Sequence, residues 1–365
     1  MKILIKREDL KKAVSSVIGV VDKKQTMPIL GHILMDKEDN ALKLTATNLE
    51  VQISSTTKTT EIDSFESTAV SGRKFYEIIR TLDSKNVELT TTKGQLVIKT
   101  NNCSYKISTL PGNDFPLFDS PDSKDGFKVN QEKLLTLFNK THFSMAQQDV
   151  RFYLNGLLLE TEHNKLKAIA TDGHRLATSE ITLDKKQANN TASIVPRKAI
   201  QELIRLLDSK EEVRAEISSN SICFTFNKLS FITKLIDGKF PDYNRVIPTN
   251  TEINIQLNSQ ALKPSLQRVS ILANEKFKGI RLETTEGALN LSSENPEQEQ
   301  ANETIPLQEK VKKIVVGFNV TYLIDAVSSC DGNQVCLSLN DENSSALITS
   351  PEDKDTKYVV MPMRL

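Results

Sequence analysis

No stretch of this 365-residue sequence approaches the roughly 20 consecutive apolar residues that a membrane-spanning helix needs. The opening M-K-I-L-I-K-R-E-D-L holds an apolar run too short for the core of a secretory signal. Cysteine is scarce: Cys103, Cys223, Cys330 and Cys336 form no C-x-x-C pair. That spacing suggests no metal site, and a reduced, cytoplasmic setting is the simplest reading. Net charge is missing as well, with 47 Lys plus Arg against 47 Asp plus Glu, so only the distribution of charge can point to a partner. The chain has no G-x-G-x-x-G, Walker A, H-E-x-x-H or G-x-S-x-G pattern. His32, His142, His163 and His174 stand far apart, and no cofactor or metal is expected.

What is present is a globular composition, 38% hydrophobic, in a chain long enough for two or three domains. Internal repeats decide the number. I-I-R-T-L-D-S-K at 78–85 returns as L-I-R-L-L-D-S-K at 203–210, a shift of 125. The same shift carries L-P-G-N-D-F-P (110–116) onto L-I-D-G-K-F-P (235–241), and a shift of 124 carries T-A-T-N (45–48) onto I-A-T-D (169–172). A weaker third copy begins at N-S-Q-A-L-K-P-S-L (258–266) and continues through G-I-R-L-E-T-T-E-G-A-L-N-L-S.

Each copy reads as an amphipathic helix (Leu10, Val14 and Val17; Leu262, Leu266 and Val269), two alternating strands, a second helix and further strands. Short polar turns such as T-K-G-Q and T-E-G-A imply antiparallel pairing. The expected fold class is α+β: three tandem copies of a two-layer domain, an antiparallel sheet plus two helices, over 1–125, 126–250 and 251–365.

The stretch A-T-D-G-H-R-L-A (170–177) gathers Asp172, His174 and Arg175 and invites a catalytic reading. Asp-Gly is first of all a turn signal, and no elbow supplies a nucleophile for His174. A binding surface is the better expectation.

That stretch, with F-P-D-Y (240–243), N-P-E-Q-E (295–299) and the terminal Y-V-V-M-P-M-R-L (358–365), resembles the bacterial DNA polymerase III beta subunit family, the sliding clamps, over the whole chain. The resemblance implies a non-catalytic, head-to-tail homodimer: a ring with helices lining a hole for double-stranded DNA, bound without sequence specificity. It also implies tethering of the polymerase III alpha subunit, the clamp loader and other clamp-motif proteins through a hydrophobic peptide pocket, with no membrane partner. Two alternatives stand beside it: a hydrolase using His174 and Asp172, and a monomeric repeat scaffold that binds proteins only.

Carried over by position, the implied pocket is Leu154, Thr171, Gly173, His174, Arg175, Leu176, Pro241, Arg245, Val246, Phe277, Asn319, Tyr322, Ser345, Val359, Met361, Pro362, Met363, Arg364 and Leu365. Leu, Val, Met and Pro would make its apolar floor, and Arg175 with Arg245 would bond groups at the rim. The terminal segment has a second reading, as a last strand docked into the core. The implied DNA contacts are Lys24, Arg73, Gln148, Phe152, Tyr153, Arg197 and Lys198; helix charges at Arg7, Lys11, Lys12, Arg80 and Arg205 fit them. The implied dimer seam is Lys74, Tyr105, Lys106, Ile271, Leu272, Glu297 and Glu299. The sequence departs from the family pattern at Phe152, where Tyr is usual, at Asn102 and Ser104, where basic residues are frequent, and at Asn343, often apolar.

Overall fold

The computed structural model describes residues 2–364 other than 22–26, 64, 93, 120–124, 187–188 and 209. Lys24 and Leu365 therefore lie outside the described residues. The first repeat runs β1 (Lys2–Lys6), α1 (Arg7–Val17), β2 (His32–Glu38), β3 (Ala41–Thr47), β4 (Val51–Lys58), β5 (Glu61–Ile62), β6 (Thr68–Ser71), α2 (Gly72–Thr81), β7 (Asn86–Thr92), β8 (Gln95–Lys99) and β9 (Ser104–Pro111). The second runs β10 (Gly126–Asn130), α3 (Gln131–Asn139), β11 (Gly156–Glu162), β12 (Lys165–Thr171), β13 (Arg175–Thr182), β14 (Thr191–Pro196), α4 (Arg197–Leu206), β15 (Glu212–Ile217), β16 (Ser221–Phe226) and β17 (Leu229–Lys234). The third runs β18 (Ile253–Asn258), α5 (Ser259–Ser270), β19 (Gly279–Thr285), β20 (Ala288–Glu294), β21 (Gln300–Pro306), β22 (Val315–Asn319), α6 (Val320–Ser329), β23 (Gln334–Leu339), β24 (Ala346–Ser350) and β25 (Asp353–Val360).

The helices follow from apolar spacing. Leu10, Ala13, Val14 and Val17 recur at three- and four-residue steps on α1 and are buried, as are Phe75 and Ile79 on α2. Asn258 and Asn319 start α5 and α6 by accepting backbone N–H groups of the first turn. Every strand pairing among the described residues is antiparallel; β18, I-N-I-Q-L-N, alternates between a buried face and an exposed one, whereas β4 and β11 are buried through consecutive residues.

The chain forms two compact units: residues 1–132 with 201–235, and residues 133–200 with 236–365. The second repeat is divided between them because sheets continue from one repeat into the next. In the first unit β17 of repeat two pairs with β4 of repeat one, Phe231 opposite Ile53. In the second unit β25 of repeat three pairs with β13 of repeat two, Tyr358 opposite Ala177. Two comparable edges have no such neighbour among the described residues. β21 pairs with β20 alone, and β9 meets β6 only at Thr109–Pro111, leaving one side of Ser104–Ser108 open.

Candidate functional site

The A-T-D-G-H-R-L-A stretch is the turn from β12 into β13. Gly173 has a φ of 90°, a conformation that disfavours any side chain. Asp172 Oδ1 accepts the backbone N–H groups of His174 and Arg175 at 2.9 and 3.0 Å, while Thr171 Oγ1 donates to the Arg175 carbonyl at 2.6 Å. The carboxylate thus serves the backbone, which is the Asx-turn role of this residue type.

Arg175 is held more firmly than a rim residue would be. Its guanidinium donates to Asp172 Oδ2 (3.1 Å), Asp325 Oδ2 (2.5 Å) and the Phe143 carbonyl (2.7 Å), and it lies over the rings of Phe143 and Tyr322. Three of its five N–H donors are taken within the chain, so it fixes the turn and Tyr322 in place while still lining the cavity described next. Burial, and then the nearby Asp172 carboxylate, push the Tyr322 phenol above its ordinary value.

Beside the turn lies a cavity of about 680 Å³. Of the expected residues it gathers Leu154, Thr171, Gly173, Arg175, Leu176, Pro241, Arg245, Val246, Ser345, Val359 and Met361. Leu158, Ile169, Leu176, Ile194 and Val359 form an apolar cluster there, covered by Phe240, Tyr243 and Ile247. The Tyr243 hydroxyl donates to Glu160 at 2.8 Å, and burial, reinforced by that carboxylate, raises its pKa well above a free phenol. Val246 and Met361 are half exposed at the mouth, and Arg245 pairs there with Asp242 at 2.8 Å. Sequence reasoning missed Arg151, which lines the cavity and donates to the Asp172 carbonyl at 3.3 Å.

The remaining expected pocket residues fall in two neighbouring places. His174 and Tyr322 line a polar cavity with Gln148 and Arg197, and no Ser, Thr or Cys is among its lining residues. That leaves His174 without a nucleophile to activate there. Phe277, Met363 and Arg364 line a third cavity, and Asn319 joins them by donating to the Phe277 carbonyl at 3.3 Å. The terminal segment is docked as well as exposed. Met361 N–H donates to the His174 carbonyl and Met363 N–H to the Gly317 carbonyl, each at 2.9 Å, with Pro362 half-buried between them. Asn343 lines none of these cavities; it sits in an exposed turn capped by Asp341.

Arg73 donates to the Val21 carbonyl at the exposed start of α2, next to the exposed Lys74. Arg197 donates to the Met145 carbonyl at 2.7 Å, and burial, and then Arg175, lower its pKa. Lys198 is exposed. Gln148 has a φ of 57°, and the loop after it presents Phe152 and Val150 to solvent, Val150 being a second apolar tip that sequence reasoning passed over. Tyr153 instead turns inward, against the apolar cluster of the first cavity. On the seam set, Ile271 is 76% exposed and Tyr105 38%, Lys106, Glu297 and Glu299 are exposed, and Leu272 is half-buried.

Known proteins match the chain along its whole length. The DNA polymerase III beta subunit family matches in three parts: its N-terminal domain over residues 1–119, central domain over 128–242 and C-terminal domain over 244–364. Curated relatives named beta sliding clamp include those of Pseudomonas putida, 40% identical, and Escherichia coli, 37% identical, each over 100% of both chains. Among solved structures, the DNA polymerase III subunit beta of Pseudomonas aeruginosa superposes over 100% of both chains with a TM-score of 0.97 at 38% identity. A clamp from the same organism, bound to griselimycin, gives 0.96 at 38%, again over 100% of both chains. Matched from end to end, the chain belongs to the DNA polymerase III beta subunit family, the beta sliding clamps.

Proposed function

We infer that the protein is a DNA sliding clamp: two copies close head to tail around double-stranded DNA and tether the replicative polymerase and other clamp-motif proteins. It has no chemistry of its own and works in the cytoplasm. The observation that carries closure is the repeated strand order. The last strand of repeat two joins repeat one (β17 to β4), and the last strand of repeat three joins repeat two (β25 to β13). By the same rule the last strand of repeat one, β9, calls for a partner equivalent to β4 and β13, which is β21 of a second copy. Both edges are open, and two such heterologous contacts close a ring.

The side chains suit the pairing. Tyr105 and Ile107 share a face with the buried Ile98 and Leu96. Ala301 and Glu303 share the face toward α5, where Glu303 pairs with Arg268 at 2.6 Å and Ile271 and Leu272 follow the helix. Joining the edges puts aromatic and aliphatic surface together. We place the domain divisions at 1–125, 126–250 and 251–365. The cavity beside the D-G-H-R turn suits a short linear peptide with apolar anchors, since it offers an apolar floor and a half-exposed Met361 that can repack.

The test is topological. After loading, the protein should survive high salt on nicked circular DNA and leave once the circle is cut. Phosphate contacts alone weaken by about 10³–10⁵ between low and moderate salt, so equal loss from circular and linear DNA would refute encirclement.

A further inference from the structure

Buried spacing puts the helices of the three repeats in register. Leu10, Val14 and Val17 of α1 correspond to Leu134, Phe138 and Thr141 in and after α3, and to Leu262, Leu266 and Val269 of α5. Ser16, Lys140 and Arg268 are thus one position, at the end of the first helix. The repeated L-D-S-K makes Arg80 equivalent to Arg205 and Asp83 to Asp208, and Asp331 stands as far past the start of α6 as Asp83 and Asp208 stand past the starts of α2 and α4.

Within the chain, this helix end is held by the repeat that follows. Where repeat one meets repeat two, Arg205 donates to the Ser15 and Ser16 carbonyls at 3.0 Å each, and Glu202 steadies the same guanidinium at 2.8 Å. Where repeat two meets repeat three, Ser328 replaces the arginine and the charges change sides: Lys140 reaches Asp331 at 2.5 Å and Asp353 at 2.6 Å. The last carbonyls of a helix lack partners within it and carry partial negative charge, so a cation from outside caps them well.

The end of α5 offers both arrangements, and no repeat follows it. Its Gln267 and Arg268 carbonyls match those of Ser15 and Ser16, and its Arg268 side chain matches Lys140. Glu303 and Ser265 accept from Nε and Nη2 of Arg268, which leaves its Nη1 hydrogens without an acceptor among the described residues. Repeat one shows the other half of each arrangement. Arg80, exposed, is steadied by Glu77 at 2.6 Å as Arg205 is by Glu202, and Asp83 is exposed just after α2. The helix face beside them is uncovered: Ala199, Leu203 and Leu206 of α4 are buried, while the equivalent Lys74, Ile78 and Thr81 of α2 are exposed or half-buried.

We propose that Arg80 and Asp83 of one copy dock on the end of α5 in a second copy. Arg80 caps the Gln267 and Arg268 carbonyls, and the Asp83 carboxylate takes the Nη1 side of Arg268. Arg268 then stands between Asp83 and Glu303 as Lys140 stands between Asp331 and Asp353. The ends of α1 and α3 are already held within the chain, so only the third repeat is open to this contact, which fixes the head-to-tail order. The proposal rests on the head-to-tail reading above and gives Arg80 a protein partner in place of a phosphate.

The test is dimer dissociation of the full-length protein, followed by sedimentation across a dilution series. Asp83→Arg and Arg268→Asp should each weaken the dimer about tenfold or more, since each sets like charges face to face, and the two together should recover most of the loss. Arg80→Ala should weaken it about fivefold. Arg80 and Asp83 are exposed, so their variants read the contact even where Arg268→Asp disturbs its own chain through Glu303. An undiminished dimer in Asp83→Arg and Arg80→Ala overturns the proposal; if Ile271→Asp with Leu272→Asp still gives monomers, the seam stands and only the helix-end contact falls. If that double variant also stays dimeric, the head-to-tail reading falls with it. Loss in both single reversals without recovery in the pair overturns the meeting of Asp83 with Arg268.

Discussion

Arg175 and Tyr322 stand in a stacked pair, guanidinium carbon 4.5 Å from the ring centre, although one begins β13 and the other lies in the first turn of α6. Asp325, one turn further along α6, holds the same guanidinium at 2.5 Å. The D-G-H-R turn and the helix start are therefore riveted together by one planar cation.

Arg175→Lys should loosen that rivet, because an ammonium cannot serve the two carboxylates and the Phe143 carbonyl in one plane. A loss of about 1.5–3 kcal/mol in urea unfolding is expected, since the hydrogen bonds given up are to charged groups. Clamp-motif peptide binding should weaken in parallel. Unchanged stability and affinity would show that the stacking is incidental.

Deleting residues 361–365 separates the two readings of the terminal segment. A peptide with two apolar anchors should bind the intact protein at micromolar strength, on the order of −8 kcal/mol, and at least about tenfold more weakly after deletion. His174→Ala should cost less, because its ring lines the neighbouring polar cavity instead of the apolar one. If the folded, dimeric truncation binds at full strength, the segment is only a docked strand.

At the seam, Ile271→Asp combined with Leu272→Asp should yield a folded monomer by sedimentation. Each buried aliphatic is worth roughly 1.5–3 kcal/mol, and a carboxylate in its place must also be desolvated. An unchanged dimer mass would move the interface elsewhere. The monomer should keep peptide affinity, because the cavity beside D-G-H-R is built within one chain.

A pH dependence follows from Lys140, whose ammonium is 2.6 Å from Asp353 and 2.5 Å from Asp331. Burial, the largest single influence, would raise the Asp353 pKa, but hydrogen bonds from Lys140, Thr356 and the Asp355 backbone together with the Lys140 charge outweigh it and hold the carboxyl below the ordinary range. A depressed folded-state value stabilises above the unfolded pKa, near 4, and the gain disappears as pH falls through the folded value. Asp353→Asn should therefore cost about 1.5–3 kcal/mol at pH 7 and progressively less on acidification below about pH 4. Urea midpoints of both proteins at the two ends of that range decide it.

Repetition made much of the fold legible. The copies of L-D-S-K and of the F-P segment placed Phe115 and Phe240 on equivalent sheet faces, and the helix starts followed from Leu and Val spacing. Asp172 was readable as a turn residue because its chemistry is local. Arg175 was not readable as a rivet, because Phe143 and Asp325 reach it from 32 and 150 positions away. The orientation of Tyr153 was not readable for the same reason: the packing of Leu158 and Ile194 decides that it turns inward while Phe152 stays in water. Nor did spacing reveal that β17 and β25, paired within their own repeats on one side, join the neighbouring repeat on the other, since strand pairing between domains has no sequence period.

Phe118 on Gln52 has one more consequence, for traffic. By occupying the first repeat with its own chain, the protein withdraws that berth from competition. On the reading that peptides dock beside the D-G-H-R turn, a closed pair of copies has one such place at the second repeat of each copy and none at the first. Partners of the same motif must take turns at few positions, and hand-over becomes an exchange between rivals whose order is set by how fast each one leaves.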